Sequence, residues 1–474
     1  MKMEVEIISK ECIKPSSPTS HHLKTHKLSL LDLYLPPAYI PLVLYYPMNQ
    51  QHSSANIIDD HIISTRLQLL KQALSETLSL FYPLAGKIKD LHSIDCNDEG
   101  IYFIEARAKS PLDEFLNLPS ISLIKEFLPD PDDAKWRSVP TPGDYVASVQ
   151  VTTFSCGGMT IGAYVSHMIG DGTAFSLFLK SWAAATARKS YNEESEAALL
   201  LSPKFDASLS FPQNDAYPRQ ACSTSIRSNL PIKFGRCVCR RFLFDASAIA
   251  NLKAKAKGST VQNPTRVEAV TTLLGKCIMA ASKTQARSSS SDRDSDKPFA
   301  LIHAVNLRRR ATPPFSENYM GNFIWMASAL CKTEEEPELQ GLVCQLREAI
   351  AKLNGDFVNS LQGDEGLLNF LEALKYERET YTRAADRIAY SSWCNFGFYE
   401  IDFGWGKPIW ASVTGPPESP ATAILNAILL MDTNTGNGIE AWVYLHEDTM
   451  AILQVDQQLL QYATVDPSPI KTKI

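Results

Sequence analysis

The chain has 474 residues, 45% hydrophobic, 21% charged and 9% aromatic; these proportions are those of an ordinary globular protein and exclude collagen-like, coiled-coil and wholly disordered chains. At about 150 residues per domain the length suggests roughly three units or two large ones, each with room for a core. Lys and Arg number 46 against 52 Asp and Glu, a net charge of −6, so no general basic surface offers itself to nucleic acid or anionic lipid, and any anionic ligand has to be met locally.

The opening Met1-Lys2-Met3-Glu4-Val5-Glu6 mixes charges and leads into no signal-peptide apolar region, so a cytosolic location is expected. Residues 4–13 alternate apolar side chains and end at a Pro/Ser turn, which predicts a strand; Leu28 to Leu33 and Ile40 to Tyr46 read as two more. From His61 to Phe81 apolar residues recur at three- and four-residue steps, the mark of an amphipathic helix ending before Pro83. Ser93 to Gln150 alternates strand-like segments with Pro/Asp-rich turns. A hairpin follows, Val149 to Phe154 and Met159 to Val165 around Cys156-Gly157-Gly158. Its second strand runs straight into Ser166-His167-Met168-Ile169-Gly170-Asp171-Gly172, and Thr173 to Thr186 is then a helix with Phe175, Phe178, Leu179 and Trp182 as its apolar stripe.

Residues 188–229 carry Ser, Pro and an acidic run without sustained periodicity and are expected to connect two halves, 1–187 and 230–474. The second half predicts a strand from Cys237 to Phe244, helices from Ala246 to Lys257 and Arg266 to Ala281, a strand from Phe299 to Val305, a helix from Glu336 to Leu353, and strands in the last third. Arg287 to Asp296, with four serines in a row, reads as a low-complexity loop. The longest apolar stretches, Tyr39 to Tyr46 and Ala423 to Met431, fall far short of the ~20 residues of a membrane helix. Ten cysteines scattered between Cys12 and Cys394 are expected as reduced thiols, and Cys237-Val-Cys239 lacks the spacing and second ligand pair of a zinc site. No metal is expected, and no phosphate-loop or dinucleotide fingerprint occurs.

Among nine histidines, His167 is distinguished by position. It ends a strand, precedes a glycine-bracketed turn and a helix, and can therefore be held rigidly beside space for a ligand. An imidazole titrating near pH 6.5 is largely neutral at pH 7 and can take a proton from an attacking alcohol or amine. Asp171 is either a second catalytic carboxylate or the N-cap of the helix, the latter being the commoner use of Asp there. Ser166 and His167 cannot act as a pair, because adjacent strand residues point to opposite faces. The second dense segment is Tyr399 to Pro408, where two glycines bracket Trp405.

Together, His167-Met-Ile-Gly-Asp171-Gly172 and Asp402-Phe403-Gly404-Trp405-Gly406 resemble the plant BAHD family of acyl-CoA-dependent acyltransferases. Phe81-Tyr-Pro-Leu-Ala-Gly-Lys87, Val305-Asn306-Leu307-Arg308 leading to Gly321-Asn322, and Ser391-Ser392-Trp393 agree in order, and the resemblance covers essentially the whole chain. Tyr82 and Lys87 stand where the family often has Phe and Arg. Ser9-Lys10, Leu28 to Asp32 and Asp432 to Trp442 refine it to a branch using acetyl-CoA and a hydroxyl on an alkaloid or terpenoid.

The resemblance implies an α/β fold of two similar-sized mixed-sheet domains of the chloramphenicol-acetyltransferase type. They are joined by a crossover loop, with a tunnel at their interface and the histidine at its middle. It implies that Asp171 points away from substrate and pairs with Arg308, and that the Asp402 to Gly406 segment supports the fold. It implies acyl-CoA as co-substrate, with Lys255, Lys257 and Ser259, the helix start from Val267 to Thr272, and Ser391, Ser392 and Trp393 as contacts. Asn306 is a candidate oxyanion donor beside backbone or indole N–H groups. The protein is expected to be a monomer that binds a small-molecule acceptor, with no nucleic-acid or membrane partner. A hydroxycinnamoyl or benzoyl transferase and a non-catalytic metabolite-binding relative are the alternatives.

Overall fold

The computed structural model describes residues 3–35, 37–48, 60–129, 140–191, 202–213, 233–288, 298–331, 338–384, 386–415, 423–424 and 426–470. Five strands of the first half, β1 (Val5–Ile13), β2 (Tyr39–Tyr46), β3 (Ile101–Ala108), β4 (Ala147–Phe154) and β5 (Met159–Ser166), form a mixed sheet in the order β1-β3-β4-β5-β2. β3 and β4 run parallel and the other neighbours antiparallel. Every residue of β4 and β5 is buried, because helices α1 (Asp60–Leu80) and α2 (Gly172–Tyr191) contribute to the covering layer. Trp182 of α2 donates its indole N–H to Leu70 O of α1 at 2.9 Å, which fixes the two helices side by side.

The second half builds the other sheet from β6 (Cys237–Phe244), β7 (Phe299–Asn306), β8 (Ile324–Cys331), β9 (Asp386–Ser392), β10 (Ala427–Asp432) and β11 (Ile439–His446). Their order is β8-β7-β9-β10-β11-β6, with Thr464–Val465 on the far edge. β9 runs parallel to both neighbours. Helices α3 (Ala246–Ala256), α4 (Arg266–Ser288) and α5 (Leu339–Ala351) pack against it through Leu252, Leu273, Leu274, Leu342 and Val343, all buried. Two cores thus lie side by side, and the chain has the α/β class and paired mixed sheets expected of it.

Several elements depart from expectation. Leu28 to Leu33 is no strand: Leu31–Leu33 is a 3-10 turn, and the Asp32 carboxylate closes it by accepting from Ser29 N and Ser29 Oγ, both at 2.7 Å. The segment is wedged between the cores, Leu28 and Leu33 in one and Leu30 and Leu31 in the other, so every leucine is buried and the pattern carries no period. α4 runs to Ser288, past the expected end at Ala281; most of the Arg287 to Asp296 loop lies outside the described residues. The last third also holds helix α6 (Gly366–Arg383), with Phe370 and Leu374 on its buried side.

The sheets do not divide where the chain's halves divide. Trp410–Ser412, from the second half, pairs with Val43 to Tyr45 and completes the first sheet as its sixth strand. Within the expected connection, part of 188–229 lies outside the described residues, while Phe211 is fully buried in the second core and accepts from Leu30 N at 2.8 Å. No helix among the described residues is long and apolar enough to cross a membrane, and the nine cysteines among them are free thiols.

Candidate active site

β5 delivers His167 to the seam between the sheets. The turn that follows is closed by Met168 N and Ile169 N donating to Ser166 Oγ and O, and His167 N donates to Ala38 O at 2.7 Å. Gly170 bridges to Gly321 of the second half. α2 then starts: Asp171 Oδ1 accepts from Ala174 N at 3.1 Å, the N-cap bond that the sequence suggested. Gly172 has no room for a side chain, since a Cβ there would lie 2.4 Å from the Phe396 ring.

His167 Nδ1 lies 2.8 Å from Asn322 Oδ1. The Asn322 amide is fixed by its other bonds. Its Nδ2 donates to Asp32 Oδ1 at 2.8 Å and to His167 O at 2.7 Å, so both amide protons are used and Oδ1 must face the imidazole. Nδ1 therefore carries the proton it donates to Asn322, and Nε2 is left as the acceptor. Asp32 anchors the relay, its carboxylate accepting also from Asn322 N at 2.7 Å. Burial pushes the Asp32 carboxyl up, against the bonds from Ser29 and Asn322. Burial likewise pulls the His167 imidazole below its ordinary value, with Asp171 and Asn322 resisting. A lowered value keeps His167 neutral at pH 7. The acid limb of kcat/KM should accordingly fall below pH 6.5, the ordinary imidazole value; a limb above it, in a pH profile with a non-ionising acceptor, would contradict this electrostatic account.

Asp171 also lies on the cavity wall, and its second oxygen is engaged by the protein. Oδ2 accepts from Arg308 Nη1 at 2.6 Å and from Phe323 N at 3.0 Å, and both charged side chains are almost completely buried. Arg308 Nη2 donates to the carbonyls of Tyr319 and Gly321 at 2.9 and 3.1 Å. One ion pair thereby joins the start of α2 to the segment that carries Asn322.

The seam encloses a cavity of about 740 Å³ whose wall includes His167, Thr173, Asn306, Ser391, Ser392 and Trp393, a volume within the ordinary range for small-molecule sites. Asn306 Oδ1 is held by Arg308 N at 2.9 Å and its Nδ2 donates to Thr173 Oγ1 at 3.2 Å, which leaves the second Nδ2 proton for a ligand. Cys394 also lines the cavity, but burial pushes its thiol up to about 12. It is therefore no ready thiolate nucleophile.

The model of the family described as Transferase family matches residues 3–460. The chain belongs to this family, the BAHD acyltransferases. Among its relatives, an epi-neemfruitin B 7-O-acetyltransferase from Melia azedarach is 53% identical over 99% of this chain and 100% of its own. A limonoid 7-O-acetyltransferase from Citrus sinensis is 51% identical over the same shares. The crystal structure of vinorine synthase superposes with a TM-score of 0.75 at 32% identity, covering 97% of this chain and 98% of that one.

In this BAHD acyltransferase the segment from Asp402 to Gly406 sits behind α2 and does not line the cavity. Asp402 Oδ1 accepts from Gly404 N and Gly406 N at 2.8 and 2.9 Å, closing a loop. The loop drives Phe403 edge-on against Trp182 and Tyr46, at 4.9 and 5.8 Å between ring centroids. Gly404, at φ +101°, lies so close to α2 that a Cβ would sit 3.0 Å from Ser190 Oγ. Asp402→Ala should lower the melting temperature while leaving KM for both substrates within about twofold, because it strands two loop N–H groups far from the cavity. A variant that melts like the parent would remove this scaffold role.

The other expected coenzyme A contacts lie elsewhere. Lys255, Lys257 and Ser259 are exposed at and beyond the end of α3 and are outside the cavity wall. The α4 start is engaged by its own cap, Glu268 accepting from Thr265 N at 2.7 Å and binding Arg347. Only the Ser391 to Trp393 group of that set meets His167. Sequence reasoning missed the roles of Asn322 and Asp32: both lie within segments that carry the family resemblance, but no local pattern says that they touch His167.

Proposed function

We propose that the chain transfers acetyl from acetyl-CoA to a hydroxyl of a limonoid-type terpenoid, using His167 as general base in a single direct step. The observation that carries this reading is the His167 imidazole on the wall of the cavity, its Nδ1 bonded to Asn322 Oδ1, which leaves Nε2 as the acceptor. The acceptor class rests on the full-length relatives named for limonoid acetylation.

In the step, Nε2 takes the acceptor's hydroxyl proton as the oxygen attacks the thioester carbonyl carbon. The C–S bond of the tetrahedral intermediate then breaks, and His167 returns the proton to the departing thiolate, giving the acetyl ester and free coenzyme A. A thioester is already activated, so no covalent enzyme intermediate is required. Asn306 Nδ2 is the proposed oxyanion donor. Asp171 and Arg308 position α2 and the Asn322 segment rather than touch substrate. Lys255, Lys257 and Ser259 are retained as proposed contacts for the distant phosphates, since coenzyme A reaches well beyond the thioester. We also place the protein in the cytosol as a monomer.

The test is ester formation across a panel of acyl-CoAs, from acetyl to coumaroyl, with limonoid, alkaloid and phenolic alcohols. Acetyl-CoA with a limonoid carrying a free 7-hydroxyl should give the highest kcat/KM. Preference for coumaroyl-CoA would overturn the donor assignment, and no ester with any pair would overturn the function.

A further inference from the structure

α2 presents Thr173, Ser176, Leu177 and Lys180 to the cavity that contains His167, at the three- and four-residue steps that share a helix face. Seven residues at 1.5 Å each place Lys180 about 10 Å further along the wall than Thr173. The cavity wall also carries Leu177, Arg309, Glu317 and Asn395, and Lys180 is half-buried.

The ammonium donates to Phe396 O at 2.5 Å, a carbonyl that Ser176 Oγ already engages at 2.6 Å. Among the described residues no carboxylate lies within ion-pair distance of it: Glu317 is held by Arg309 at 2.7 Å, and Glu400 by Lys407. Gly397, in the left-handed region at φ +74°, keeps the space open, for a Cβ there would stand 2.8 Å from Lys180 Nζ. Burial lowers the pKa of this ammonium, with Glu400 and Glu317 opposing the shift. A lysine has three N–H donors. One carbonyl, already bonded to a serine, satisfies one of them. Placing a cation here costs desolvation that a mere tether between α2 and residue 396 does not require.

We infer that Lys180 is a specificity-determining residue that donates a hydrogen bond to a ligand oxygen, whether carbonyl, ester or phosphate, of the co-substrate filling the cavity end remote from His167. The inference rests on the transferase reading above.

The experiment compares wild type, Lys180→Met, Lys180→Gln and Lys180→Arg in steady-state assays with acetyl-CoA and a 7-hydroxy limonoid, alongside melting temperatures. Gln retains a donor for Phe396 O without the charge, so it remains informative if Met fails to fold. The Met and Gln variants should raise one KM about tenfold or more, the scale of a hydrogen bond from a charged group, with kcat nearly unchanged and partial rescue by Arg. A rise in the limonoid KM assigns the oxygen to the acceptor, and a rise in the acetyl-CoA KM assigns it to coenzyme A. Both KM values unchanged in an active Lys180→Gln would overturn the inference alone. A wild type that turns over neither substrate would sink the transferase reading, and the inference with it.

Discussion

His167→Ala should cut kcat by about 100- to 10,000-fold, the range general-base catalysis supplies, while the protein keeps its fold and its affinity for coenzyme A. The loss should fall on kcat rather than KM because Nε2 interacts with a moving proton only as the alcohol attacks. The fold should survive because the ring's polar bond is to Asn322 Oδ1 beside an open cavity, where water can replace it, and the Asn322 amide stays anchored by Asp32. Steady-state kinetics with both substrates check the loss of kcat, and circular dichroism with coenzyme A titration checks the kept fold and affinity. A variant with near wild-type kcat would remove the general base from the account.

Arg308→Ala should cost about 3–5 kcal/mol of stability, the penalty of stranding one member of a buried ion pair. Here the charge left behind is Asp171, and the carbonyls of Tyr319 and Gly321 lose their donor as well. Asp171→Ala should cost a similar amount, since it strands the guanidinium and removes the α2 cap. Asp171→Asn should cost less, because an amide oxygen can still cap Ala174 N. Activity should fall in all three, for the pair holds the start of α2 against the segment that carries Asn322. The double variant should be less destabilised than the sum of the single ones, since removing both partners leaves no unpaired charge. Denaturant unfolding measures each term. Single variants as stable as the parent would show that the pair does not tie the halves together.

How much of the site is legible in the sequence depends on whether the signal is local. His167, the cap at Asp171 and the α2 stripe lie within 20 residues of one another, and strand-end, turn and helix periodicities mark them directly. The pairing of Asp171 with Arg308 spans 137 positions and enters only through the family resemblance. The Asp32-Asn322-His167 relay spans separations of 290 and 155, and nothing in any one window assembles it. Leu28 to Leu33 misleads for a different reason. A turn wedged between two cores buries all its leucines, and binary patterning then reads as strand. Trp410–Ser412 joins the first sheet although it belongs to the second half of the chain, a crossing that a linear division into halves cannot express. The resemblance singles out the exposed lysines near the end of α3, whereas Lys180, which does line the cavity, has in sequence only the look of an ordinary polar-face residue of an amphipathic helix.

The central claim is direct transfer assisted by His167, and rapid-mixing measurement of thiol release from acetyl-CoA, with and without a 7-hydroxy limonoid, tests it most directly. The account predicts no release above hydrolysis without the alcohol, and with it one free thiol for each ester formed. A burst of thiol before any alcohol is added, with acetyl retained on the protein, would contradict it.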